Sequence, residues 1–183
     1  IDLFQQAIKV DPNYAPAHAQ LAFAYAWTAL FIEPGKTNWA ELAREEIKRA
    51  QELRPDIAET HLARGLLFWS AYEGYKNEEA LKELFIAKQL NPNSTHGEMV
   101  GILAHVGLDD RASQELQRGL QIDPTSQSLA DLTMILPYLR VDADAWLRER
   151  QKYGNGPALL PPWYYIRKGR LDDAQKSLEQ QVT

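Results

Sequence analysis

The chain repeats itself, and the repeat is anchored on proline. Four segments align: Ile8-Lys-Val-Asp-Pro12-Asn, Gln51-Glu-Leu-Arg-Pro55-Asp, Lys88-Gln-Leu-Asn-Pro92-Asn and Leu120-Gln-Ile-Asp-Pro124-Thr, at intervals of 43, 37 and 32 residues. Five residues before each proline stands a small residue, Ala7, Ala50, Ala87 or Gly119, and twelve before the last three stand Ala43, Ala80 and Ala112. Six after the first two prolines come His18 and His61, ten after them Ala22 and Gly65, and thirteen after them the aromatics Tyr25 and Phe68. Proline cannot continue a helix, so each one marks a helix end and the start of a turn. The small residues let neighbouring helices approach closely, and the aromatic fills the space beside them.

These marks resemble the tetratricopeptide repeat (TPR), whose period is about 34 residues. The resemblance implies an all-α fold, a TPR-type right-handed superhelical solenoid of antiparallel helix pairs, A and B. One pair cannot bury its apolar face alone, so neighbours must stack. The resemblance runs over 1–183 as a single array: a truncated repeat at 1–10, clear repeats at 15–53, 57–90 and 95–121, and degenerate repeats at 127–181. Helices are expected at 1–10, 15–31, 38–53, 57–72, 77–90, 95–106, 109–121, 127–139, 142–152, 158–167 and 171–181. Gly169 and Ala174 fit an inter-helix turn and the small residue after it. The first repeat carries an extra loop, Phe31–Asn38, and Pro137 falls inside an expected helix. The insert and spacing are also similar to TPR regions of bacterial multidomain signalling proteins.

Local signals agree with an all-α chain. Twenty-three alanines favour helix, and no alternating apolar run is long enough for a strand. Asn38-Trp-Ala-Glu41 and Asp56-Ile-Ala-Glu59 read as capping boxes. Asn77 and Asp142 read as N-caps, and Pro161-Pro162 suits a first helical turn. Tyr14–Ile32 is 19 residues without a formal charge, but it holds Pro16, His18, Gln20, Thr28 and six alanines. That content predicts a buried helix in a stack and no membrane insertion. The formal charge of −5 and pI near 5.4 argue against a nucleic-acid partner. The absence of cysteine removes disulfides and thiol chemistry and leaves the compartment open. Ile1 opens inside an amphipathic pattern, so the chain reads as a piece of a longer protein.

Motifs that tempt toward chemistry fall away. Gly35-Lys36-Thr37 lacks the earlier glycine of a phosphate loop, because that position is Leu30, and a helix precedes it. Glu78-Glu79, Asp109-Asp110 and Asp172-Asp173 fall in first turns of expected helices, where negative charge complements the dipole, and Glu45-Glu46 reads as a solvated stretch. The four histidines have no i, i+4 histidine partner. His18 and His61 hold equivalent repeat positions and should pack alike, whereas His96 and His105 face opposite sides of one helix. Asn93-Ser94-Thr95 fits a glycosylation acceptor, a triplet common by chance. The expectation is no enzyme, no cofactor and no metal.

A binding surface is what remains. The resemblance places A helices on the concave face, with inward positions Ala19, Phe23, Ala26 and Trp27 in the first repeat and Leu62, Leu66, Trp69 and Ser70 in the second. This set reads as an apolar, aromatic protein- or peptide-binding groove, against the alternative that the same residues are ordinary core. One TPR subclass grips terminal carboxylates with Lys, Asn and Arg at fixed A-helix positions. Those positions here are Ala19, Phe23 and Ala63, and Ser94–Val106 has no Lys or Arg, so the chain departs from that subclass. Residues 140–176 carry a net +3, including Arg148, Arg150, Lys152, Arg167, Lys168 and Arg170, as a basic patch or as solvated helix faces. At the other end, Ile1–Val10 is a B helix without its A helix, which predicts weak self-association through Ile1, Phe4 and Ile8. The expected function is a non-catalytic protein–protein or protein–peptide scaffold. The alternatives are a substrate-holding accessory region of a multidomain enzyme or signalling protein, and a purely structural assembly module.

Overall fold

The computed structural model describes residues 1–33, 38–139, 148, 165–166 and 169–181. The described residues contain helices and no strand. In chain order the helices are α1 (Asp2–Val10), α2 (Ala15–Trp27), α3 (Trp39–Leu53), α4 (Ala58–Phe68), α5 (Asn77–Leu90), α6 (His96–His105), α7 (Asp109–Ile122), α8 (Gln127–Leu139) and α9 (Leu171–Gln181). A π-helical turn, Thr28–Ile32, prolongs α2, and a 3-10 turn, Ala71–Glu73, follows α4. The expected helices at 142–152 and 158–167 lie largely outside the described residues, as do Asp142 and Pro161-Pro162. Helix α8 accommodates Pro137 and ends two residues later, at Leu139.

Each proline does what its position predicts. The residue before it is pushed into extended backbone and becomes the C-cap of the preceding helix: Asp11, Arg54, Asn91 and Asp123. Its N–H donates to the carbonyl of the small residue four positions back, Ala7, Ala50, Ala87 or Gly119, at 2.8–2.9 Å. In three junctions the same residue then builds the turn with its side chain. Asp11 Oδ1 accepts from Asn13 N–H at 3.0 Å, Asn91 Oδ1 from Asn93 N–H at 3.2 Å, and Asp123 Oδ1 from Thr125 N–H at 3.0 Å. Asp and Asn serve here because a short side chain can accept from the backbone two residues on. Arg54 cannot accept in this way; its guanidinium instead lies 3.6 Å from Asp56 Oδ1 across the proline.

The N-caps correct the sequence reading. Asn38 precedes α3, but its side chain makes no cap hydrogen bond. The N-cap of α4 is Ile57, one residue past Asp56, and that of α5 is Lys76, one residue before Asn77; neither has a side-chain cap. A capping box fails when the helix starts one residue out of register with it.

The chain forms two compact units, Ile1–Val106 and Gly107–Thr183. In the first, α2 and α3 pair around Ala22, Tyr25, Ala26 and Ala29 on one side and Ala40, Ala43 and Ile47 on the other. The next pair, α4 and α5, closes around Leu62, Ala80, Leu84 and Ala87, joined by Met99 and Ile102 of α6. Gly65 is small because a Cβ there would come within 2.9 Å of Leu84 Cδ2. Each fully buried leucine, such as Leu21, Leu66 or Leu84, contributes about 1.5–3 kcal/mol. Helix α1 packs on this core through Phe4 and Ile8 and leaves Leu3 and Val10 in solvent. In the second unit Ala112, Leu116, Gly119, Leu129, Leu136 and Ala174 are buried. Asp109 and Asp110 fall in the first turn of α7, and Asp172 and Asp173 in that of α9. Among the described residues no helix is long and apolar enough to cross a membrane.

Candidate interaction surface

The eight residues singled out from the sequence divide into two groups. Ala19, Ala26, Leu62 and Leu66 are buried in the helix stack. That corrects their reading as surface positions: the superhelical row they occupy points into the next helix, and they set the spacing beneath the surface. Ser70 is also buried, its hydroxyl donating to the Leu67 carbonyl. Phe23 and Trp69 are half-buried, and Trp27 is exposed.

These three aromatics belong to a longer row. Phe23 and Trp27 have ring centroids 5.9 Å apart, Trp27 and Phe31 4.5 Å, and Phe31 and Trp69 6.2 Å. Trp69 meets His105 edge-on at 6.0 Å, and His105 stacks on Tyr75 at 5.6 Å. Six rings, from α2, its π turn, the C-cap of α4, the segment before α5 and the end of α6, therefore form an unbroken line. Trp27, Phe31 and Tyr75 are 38%, 46% and 50% exposed, and Ile32 beside them is exposed too.

Local backbone geometry makes the line possible. In an α-helix four residues advance 400°, so Phe23 and Trp27 already drift by about 40°. Continuing as α-helix would carry Phe31 further round. The π turn closes i to i+5 instead, with Glu33 N–H donating to the Thr28 carbonyl at 2.9 Å. More residues per turn cancel the drift and bring Phe31 back over Trp27. Phe31 and Ile32 thus belong to the helix end and not to the expected loop. Pro34–Thr37 lie outside the described residues, but Trp39 Nε1 donates to Glu33 Oε2 at 3.0 Å across them.

Trp69 is seated by a glycine. A Cβ at Gly101 would lie 2.8 Å from Trp69 Cη2, so only glycine lets the indole cross α6. The indole N–H is buried and makes no hydrogen bond. Tyr75 takes a left-handed conformation, φ +55°, directly after Gly74 at φ +72°. A bulky residue there is strained, and the stack on His105 holds it.

Behind the row, polar pairs clamp A to B helices. His18 Nδ1 meets Glu46 Oε2 at 2.5 Å and Nε2 meets the Pro12 carbonyl at 3.0 Å. His61 Nδ1 meets Glu83 Oε2 at 2.7 Å, and Arg64 adds a contact to Glu83 at 3.2 Å. The two histidines pack alike, as their equivalent positions imply. Glu46 is thereby a clamp and not a solvated acid, a correction to the sequence reading. Its signal was present: Glu46 and Glu83 each stand nine residues before the next repeat's proline. Arg44 of α3 reaches Glu73 in the turn after α4 at 2.9 Å, and Lys76 reaches the same carboxylate at 2.9 Å. The Lys76 hydrogen bond holds the Glu73 carboxyl below its usual range, with burial opposing and Arg44 assisting. Burial pushes the Glu98 carboxyl of α6 up, opposed by a backbone hydrogen bond and by His96.

Among the described residues no group of three or more His, Asp or Glu could hold a metal ion. Of the C-terminal basic residues, Arg170 is paired with Asp173 at 2.7 Å and lies over the Tyr165 ring. Arg150, Lys152, Arg167 and Lys168 lie outside the described residues.

No protein-family model matches the chain, and no curated protein does. Solved structures are similar to it along almost its whole length. PilF of Pseudomonas aeruginosa is 21% identical with a TM-score of 0.59, covering 97% of this chain and 79% of that one. PilW, a widely conserved type IV pilus biogenesis factor, is 18% identical with a TM-score of 0.66, covering 97% and 80%. The fold is TPR-type and all-α. Phe31, Tyr75 and His105 were not singled out from the sequence. Phe31 is four residues past Trp27, a visible signal masked by assigning it to a loop. Nothing in the repeat positions points to Tyr75 or His105.

Proposed function

We propose that the chain is a non-catalytic protein- or peptide-binding scaffold, and that Phe23, Trp27 and Trp69, extended by Phe31, Tyr75 and His105, form its binding surface. The observation that carries this reading is the unbroken ring row with three partly exposed members. Large aromatics are costly to leave in water, and aromatic clusters of this kind supply the anchors of interfaces. The likeness to a pilus biogenesis factor favours a role in assembly over one behind a signalling domain. Affinity capture with the intact chain, beside a Trp27→Ala/Phe31→Ala form, tests it. Partners should be captured by the first and weakened by about 2 kcal/mol or more in the second, roughly 30-fold. An unchanged set of partners would overturn the assignment.

Weak self-association through Ile1–Val10 is a second proposal of ours. Its support is the exposure of Leu3 and Val10, 77% and 88%, on a helix whose Phe4 and Ile8 are already used inward. Light scattering over a concentration range, with and without Leu3→Glu, decides it; a mass that stays monomeric throughout refutes it.

A further inference from the structure

We infer that the ring row receives a basic segment, with an arginine or lysine side chain of the partner lying over Trp27 and Phe31. This rests on the scaffold reading above and names the chemistry of its partner. Three observations lead to it. First, the row crosses helix C-termini. Phe31 lies in the turn that ends α2, Trp69 is the C-cap of α4, and His105 is the last residue of α6. A helix C-terminus presents unsatisfied carbonyls and about half a negative charge.

Second, the ring faces are electron-rich and attract cations, and Trp27 and Phe31 are exposed enough to be covered. Third, the segments that carry Phe23, Trp27, Phe31 and His105 supply no Lys or Arg among the described residues to repel one. Tyr14–Ile32 carries no formal charge, and Gln89–Val106 has no Lys or Arg. Arg64 and Lys76 both lie over the Phe68 ring and are paired with Glu83 and Glu73, and Arg44 is paired with Glu73 too. Residues 1–106 hold ten Lys/Arg and fourteen Asp/Glu, a net −4. An acidic segment would lose its hydration against this face with no counter-charge in return, a penalty that discriminates against it.

Selection of random peptides displayed on phage against the intact chain tests this, with Trp27→Leu/Phe31→Leu as the counter-selected form. That variant keeps the apolar bulk and the net charge and removes the rings. Enriched peptides should carry Arg or Lys beside apolar residues. Replacing that Arg by Gln should weaken binding about 2- to 30-fold, and the ratio should fall toward one in the variant. A ratio unchanged in the variant would mean diffuse attraction to an acidic protein and would overturn the inference. Enrichment of uncharged or acidic peptides that depend on the rings would overturn it and leave the scaffold reading standing. No enrichment over the variant would overturn both. Should the variant fail to fold, by far-UV circular dichroism, wild type still decides. Trimethyllysine in place of the Arg should be held and its neutral tert-butyl isostere rejected; equal binding of the two refutes the inference.

Discussion

The two histidine clamps are equivalent in position but unequal in load, and that inequality is measurable. His18 uses both ring nitrogens, one on the Glu46 carboxylate and one on the Pro12 carbonyl. Both ring nitrogens are therefore engaged, whereas at His61 the contact is with the Glu83 carboxylate. A hydrogen bond to a charged group contributes roughly 1.5–3 kcal/mol and a neutral one about 1. The Glu46 side chain is 23% exposed, so water replaces part of the loss. His18→Ala should therefore cost about 2–3 kcal/mol, or roughly 4–12 °C in Tm for a chain of this size. His61→Ala should cost less, about 1–2 kcal/mol, because Arg64 remains on Glu83 and no carbonyl is abandoned. Urea unfolding followed by far-UV circular dichroism gives both numbers. If His18→Ala stays within about 0.5 kcal/mol of wild type, or His61→Ala proves the more damaging, the clamps are not carrying the load assigned to them.

Three further outcomes follow from the geometry. Glu73→Gln should lower stability at neutral pH. Because the folded state depresses this carboxyl, the difference from wild type should close as pH falls through the folded value, which urea midpoints from pH 7 to 3 would trace. Glu98→Gln should do the reverse. Burial raises this carboxyl, so ionisation costs the native state, and the variant should gain at pH 7 with the gain fading on acidification; a loss at pH 7 would contradict it. Gly101→Ala should displace Trp69, costing about 1–3 kcal/mol and altering the near-UV circular dichroism while the far-UV spectrum holds; an unchanged near-UV spectrum would refute the seating role.

What the sequence disclosed and what it hid divide along the range of the interactions. Proline, the residue before it and the small residue four back act within a few positions, so helix ends near Asp11, Arg54, Asn91 and Asp123 were legible. The buried alanines followed from the same frame. The caps were misread because N-capping depends on a single residue of register, which tertiary packing shifted at Ile57 and Lys76. Glu46 was misread because pairing with His18 joins two helices, and its trace is not local but the nine-residue spacing to the next proline that Glu83 repeats. Of the proposed binding surface, Phe23, Trp27 and Trp69 were legible from A-helix periodicity. Ala19, Ala26, Leu62 and Leu66 were not separable from them, since period alone does not say which side of a stripe the next helix covers. Phe31 depended on a π turn, and Tyr75 on a left-handed backbone.

The proline junctions also bear on how the chain finds its fold. From Ala7 to Tyr14, Ala87 to Ser94 and Gly119 to Ser126, each turn closes on hydrogen bonds that never leave its own eight residues. Closing so short a loop takes tens of nanoseconds, well before distant helices can meet. Folding can accordingly begin at any of these three corners and spread outward, as nearest-neighbour arrays do. The Arg54-Pro55 corner lacks the side-chain acceptor, and it stands between the two best-packed helix pairs. Their docking therefore depends on packing more than on the turn.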